Sequence, residues 1–214
     1  YFDRLLAADP RWGICAVSLR SPGVRDALAP QDGLYTLVEL GEETRFRVIG
    51  AIAEVLVAAE TPEPVALRLA APSTRLVTLT VTEKGYCLGP DGSLDLHHPD
   101  ILADIAAPEH PSSVIGWLVE GLARRRAAGL APFTTLSCDN LPSNGRRLRG
   151  AVIALARRRE PALADWIADN ARFPCSMVDS ITPATDDALR ERVAAALGLE
   201  DSWPIQREHF SQWV

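Results

Sequence analysis

The sequence predicts an α/β protein with a doubly wound, mostly parallel sheet and one inserted β-hairpin. Three observations predict it. Short β-branched runs alternate with helical periods of about 10 to 18 residues, the order that winds a parallel sheet. Residues 34–40 and 45–49 flank Gly41-Glu42-Glu43 as an antiparallel pair would. The 214 residues are 47% apolar and 23% charged, ordinary values for a soluble globular chain with enough length for a core.

Taken in order, residues 12–19 are a buried strand between Pro10 and Ser21-Pro22-Gly23, and a brief helix follows over 24–28. After the hairpin, residues 51–59 continue as a strand. Thr61 and Pro62 open a helix as N-cap and first residue. Residues 75–82 read as the clearest strand, and Gly89-Pro90-Asp91-Gly92 as a turn. Ser112 and Ser113 cap a helix carrying Val114, Ile115, Leu118, Val119 and Leu122 at helical spacing, with Gly129 as its stop. Residues 133–138 form another strand, helices follow over 146–158 and 161–170, and Thr185-Asp186-Asp187 opens a last one.

A net charge of −6 argues against nucleic acid, which needs a basic face. Arg124-Arg125-Arg126 and Arg157-Arg158-Arg159 each end a helical pattern, where cations complement the helix dipole. Cys15, Cys87, Cys138 and Cys175 lie far apart without a C-x-x-C pair. They read as mostly buried, reduced thiols, which suits the cytoplasm. No run approaches the roughly 18 apolar residues of a membrane span. His97 and His98 have no Cys or Asp at ligand spacing in sequence, so no metal site is expected. The start at Tyr1 and the stop within strand-like Gln212-Trp213-Val214 read as cuts at both ends. A doubly wound nucleotide-binding sheet carries G-x-G-x-x-G after its first strand, and no such spacing occurs here.

Four ordered stretches add a resemblance: Thr82-Glu83-Lys84-Gly85-Tyr86-Cys87; Ser137-Cys138-Asp139-Asn140-Leu141-Pro142 with Asn144-Gly145; Phe173-Pro174-Cys175-Ser176-Met177-Val178-Asp179 with Ile181-Thr182-Pro183; and Phe210 with Gln212-Trp213-Val214. Together they resemble the long-chain mannitol dehydrogenase and fructuronate reductase family over essentially the whole chain. The resemblance implies a Rossmann-type nucleotide-binding domain over 1–214, lacking its first strand and Gly-rich loop and separated from a helical C-terminal catalytic domain. It implies metal-free hydride transfer between NAD, with NADP left open, and an open-chain sugar acid or sugar alcohol. The family's Lys-x4-Asn-x2-His set is expected in the missing domain. Lys84 is the only lysine here, and Gly89 stands five residues after it.

Within that frame, Asn140 matches the family's active-site asparagine, where an amide would hold a substrate hydroxyl or the developing alkoxide. Read without the family, Asp139 and Asn140 form an Asx-turn and cap. Asp179 belongs to the active-site signature and would orient the catalytic lysine or bind a hydroxyl; read alone it is a loop cap. The family's following arginine is Ser180 here. Thr82 and Glu83 are placed near the nicotinamide, the alternative being a solvated strand end. Lys84 faces solvent, cofactor phosphate or an acidic substrate. The ribose-reading place after the second strand is Leu19-Arg20-Ser21-Pro22-Gly23, with no acid before Asp26, so Arg20 suits a 2′-phosphate.

Lys84 and Cys175 resemble fructuronate reductases, mannitol dehydrogenases tending to glycine and asparagine at those positions, so fructuronate and mannonate are the expected substrates. Mannitol or arabinitol oxidation is the alternative within the family, and an inactive nucleotide-binding scaffold the alternative outside it. No membrane or nucleic-acid partner is expected.

Overall fold

The computed structural model describes residues 1–214. In chain order the elements are α1 (Phe2–Ala8), β1 (Ile14–Ser18), α2 (Gly23–Leu28), β2 (Tyr35–Leu40), β3 (Arg45–Ile49), β4 (Ile52–Val57), α3 (Pro62–Ala70), β5 (Leu76–Leu79), α4 (Thr82–Gly85) and α5 (Pro99–Ala106). They continue with α6 (Val114–Ala127), β6 (Thr134–Ser137), α7 (Asn144–Arg159), α8 (Pro161–Asn170), β7 (Val178–Asp179), α9 (Asp187–Leu197), β8 (Ile205–Glu208) and β9 (Gln212–Trp213). Two compact units result, one from residues 1–61 and 179–212, the other from 62–178 and 213–214.

In the first unit β1 and β4 pair in parallel, in register from Cys15 opposite Glu54 to Ser18 opposite Val57. The crossover between them carries α2 and the expected hairpin, β2 antiparallel to β3 with Tyr35 opposite Ile49. The other edge of β2 takes β8 in parallel, a strand absent from the sequence expectation. Its ladder joins residues roughly 170 positions apart, and no local period announces such a pairing. Val38 packs with Leu189 and Val193 of α9, against Leu40, Phe46 and Leu197. Asp186 caps α9 by accepting the Leu189 N–H at 2.8 Å, and Gly198 ends it in the left-handed region. That is the start expected of Thr185-Asp186-Asp187.

The second unit is built on β5 and β6, parallel from Leu76 opposite Thr134 to Leu79 opposite Ser137. Helix α6 is buried from Val114 through Leu122 and forms a core element with the apolar faces of α7 and α8. Ile115, Leu118, Leu122, Leu148, Val152, Leu163 and Ile167 are buried in it, as is Phe133 beside β6. Ser113 caps α6, its Oγ accepting the Gly116 N–H. The helix ends in a Schellman turn: the Gly129 N–H reaches Arg126 O and the Leu130 N–H reaches Arg125 O.

Five expectations are corrected. β5 ends at Leu79 rather than at Thr82. The Thr61 hydroxyl donates to Val57 O instead of turning to α3. α1 and α5 stand where no helix was expected. Only Cys87 among the thiols is buried, and Cys175 is exposed. The arginine runs are structural beyond any dipole effect. Arg124 and Arg159 clasp Glu120, which is 2% exposed, each at 2.5 Å. Arg125 donates to the carbonyls of Ala131, Ala71 and Thr74 while its guanidinium lies over the Phe133 ring.

Candidate functional site

The carboxyl ends of β5 and β6 lie side by side, which in a parallel α/β sheet is where ligands bind. The segment after β5 carries Thr82, Glu83 and Lys84; the segment after β6 carries Asp139 and Asn140. Thr82 sits at φ 65°, a left-handed conformation that costs a β-branched residue about 1–3 kcal/mol. Asp139 offsets that cost. Its carboxylate accepts the Val81 N–H at 3.0 Å and the Thr82 N–H at 3.1 Å, pulling the chain out of the strand and into α4. This is why the strand stops early.

The same carboxylate accepts the Tyr86 hydroxyl at 2.6 Å, and that hydroxyl is also 2.6 Å from Ser137 Oγ. Tyr86 is fully buried. Burial, reinforced by the hydrogen bond to Asp139, pushes its phenol well above the ordinary tyrosine range. Burial and the nearby Asp139 charge likewise raise the Cys138 thiol, so this cysteine is no ready nucleophile.

A second knot holds β6 from the other side. Asn144, 1% exposed, donates to Ser137 O at 3.1 Å and Ser176 O at 2.8 Å, and accepts the Ser176 N–H at 3.1 Å. The Ser176 hydroxyl donates to Ser137 O at 2.6 Å. Gly145 permits this approach: a Cβ there would stand 2.4 Å from Pro174 O.

Of the residues singled out in the sequence, Thr82, Glu83, Lys84 and Asn140 come together in the second unit. All four side chains are exposed and make no hydrogen bond within the chain. The Asx-turn reading of Asp139 fails, because its carboxylate reaches across to the segment after β5. Arg20, exposed in the loop after β1, and Asp179, exposed on β7, belong to the first unit. Ser180, in the place of the family's arginine, donates its hydroxyl to Phe210 O at 3.1 Å. Sequence reasoning missed Asp139, Tyr86, Ser137, Asn144 and Ser176 as a network, although each stands inside a motif already quoted. The signal available was a tyrosine and an aspartate following two apolar strands.

The expectation about the histidines also changes. The fold brings Cys87, His98 and Asp100 within 4.8 Å of one another. In this arrangement His98 caps α5, its Nδ1 accepting the Asp100 N–H.

Parallel strand–helix units with polar side chains gathered at their carboxyl ends define a dinucleotide-fold α/β protein. The comparisons narrow this. The family described as the mannitol dehydrogenase Rossmann domain matches residues 2–214, and the chain belongs to it. It is 46% identical over its whole length to a mannitol 2-dehydrogenase of Phaeosphaeria nodorum, covering 39% of that protein. It is 41% identical over its whole length to a polyol:NADP oxidoreductase of Gluconobacter oxydans, covering 46% of it. Among solved structures, a Pseudomonas fluorescens mannitol 2-dehydrogenase in ternary complex with NAD and D-mannitol superposes with a TM-score of 0.93 at 43% identity, over all of this chain and 45% of that one. The chain thus spans less than half the length of these relatives. They are mannitol and polyol enzymes, and the fructuronate expectation drawn from Lys84 and Cys175 gains nothing from them.

Proposed function

We propose that this chain is the nucleotide-binding part of an NAD-dependent polyol dehydrogenase that interconverts a secondary alcohol of an open-chain polyol, mannitol foremost, with the corresponding ketose. The reading is carried by one observation: the exposed side chains of Thr82, Glu83, Lys84 and Asn140, none hydrogen-bonded within the chain, stand at adjacent parallel strand ends in a chain 43% identical to an enzyme solved with NAD and D-mannitol. This donor set fits the polar ribose and carboxamide end of a nicotinamide nucleotide. Arg20 fits the ribose of the adenosine end and would tolerate a 2′-phosphate, in keeping with an NADP-named relative.

The bound cofactor would supply the hydride acceptor. The chain's own residues would bind and orient. The Asn140 amide would donate to the reacting oxygen, a contact worth more as charge develops on it. Thr82 and Glu83 would bracket the nicotinamide, and Lys84 would contact cofactor phosphate or substrate. Asp179 would orient the general base. That base and the phosphate-cradling glycine loop would come from sequence outside residues 1–214, since the relatives are more than twice as long.

The test is a substrate panel with the full-length protein, following nicotinamide absorbance. Mannitol and arabinitol with NAD should turn over faster than mannonate, and fructose reduction should exceed fructuronate reduction. The opposite order would restore the fructuronate assignment. No turnover, together with no NADH binding, would leave the scaffold alternative.

A further inference from the structure

We infer that Asp139 and Tyr86 form a positioning clamp that sets the nicotinamide-side groups of this site, a role resting on the cofactor reading above. Asp139 adjoins Asn140 in sequence, yet its carboxylate is spent entirely on the segment that follows β5. It holds the N–H groups of Val81 and Thr82, 58 and 57 positions away, and the Tyr86 hydroxyl, 53 positions away. One side chain therefore fixes two objects to each other. They are the backbone bearing Asn140 and the strained turn bearing Thr82, Glu83 and Lys84.

Each partner strengthens the case. Tyr86 closes the other end of α4, so the four-residue helix is held at both its first residue and its exit. Its hydroxyl bridges to Ser137 Oγ, and the Ser137 carbonyl receives the Asn144 amide and the Ser176 hydroxyl. The chain of bonds runs from the Thr82 turn through β6 to the 173–178 segment, and every link beyond the exposed Thr82 N–H is buried or half-buried. Asn140, in contrast, has no partner of its own, so the position of its amide is inherited from Asp139 and from Leu141, which is buried. Groups that must meet a reacting centre are commonly held by such supporting bonds. Displacement of about 1 Å can cost 100-fold in rate.

Asp139 and Tyr86 touch no ligand in this reading; both act through the residues they hold. The distinguishing experiment uses the full-length enzyme with Asp139→Asn and Tyr86→Phe. Asp139→Asn sets an NH2 group against one backbone N–H of the turn, whereas Tyr86→Phe leaves both backbone bonds in place. We expect kcat for polyol oxidation to fall at least 10-fold in Asp139→Asn and a few-fold in Tyr86→Phe. The Kd for ADP-ribose, which lacks the nicotinamide, should stay within 2-fold of wild type in both. NADH, read by its fluorescence, should bind more weakly to Asp139→Asn.

Unchanged kcat in Asp139→Asn overturns the clamp while leaving the dehydrogenase reading intact. Equal losses of ADP-ribose and NADH binding with a lowered Tm would reduce the network to fold stability and also overturn it. If Asp139→Asn does not fold, Tyr86→Phe decides by the same kcat and ADP-ribose criteria. A wild-type protein that binds neither nucleotide sinks the cofactor reading itself, and the clamp with it.

Discussion

Asn140 and Asp139 are neighbours with opposite duties. Asn140 is exposed and unbonded, so its replacement by alanine should change stability by no more than about 0.5 kcal/mol. If it holds the reacting oxygen, turnover should drop about 100-fold, as with loss of an oxyanion donor. Denaturant melts beside steady-state kinetics of Asn140→Ala separate the two quantities, and a matched loss of both would refute the assignment. Asp104, 3% exposed, shows how a buried carboxylate behaves away from the site. Burial raises its pKa above 3.8, opposed by hydrogen bonds from the Ser113 hydroxyl and the Ser112 and Ser113 N–H groups. The folded protein therefore binds this proton more tightly than the unfolded chain does. Its contribution to stability is greatest below 3.8 and is lost as pH rises through the raised folded value. Carbon-13 titration of the Asp104 carboxyl should give a midpoint above that value, and a lower one would contradict the burial argument.

Helix α6 is the element on which the second unit depends. Its serine cap and glycine stop were plain in the sequence, because both are local chemistry. Glu120 was not, since its partner Arg159 lies 39 residues on. Truncating Glu120 to alanine takes the carboxylate from the partly buried Arg159, while Arg124 keeps Glu63, and should cost roughly 3 kcal/mol. Urea unfolding of Glu120→Ala would measure it, and a change below 1 kcal/mol would show the pair to be solvated. The elements that sequence reasoning passed over share a cause. α5 is eight residues long and begins on a histidine cap rather than on Ser, Thr, Asp or Asn. β8 exists only through its pairing with β2.

For the whole chain, sheet edges matter most. β1 pairs only with β4, and β5 only with β6, so each parallel pair presents an unpaired edge strand rich in apolar residues. Such edges template association. Residues 1–214 expressed alone should therefore self-associate at micromolar concentration, as read by light scattering against dilution. A clean monomer across that range would show the edges to be protected.

What the sequence determined by itself is the alternation of strands and helices, the hairpin inserted between β1 and β4, the caps of α6 and α9, and, through its motifs, the family. All of these are written in residues a few positions apart. The early end of β5 is where that ceases to hold. Residues 75–82 satisfy every local criterion for a strand, yet Asp139 takes the N–H groups of Val81 and Thr82 and turns the chain into α4. Only the tertiary structure decided which polar residues are spent on the scaffold and which are left free to act. The half-buried Asp139 carboxylate takes its partners by proximity in space, and those partners stand more than fifty residues away.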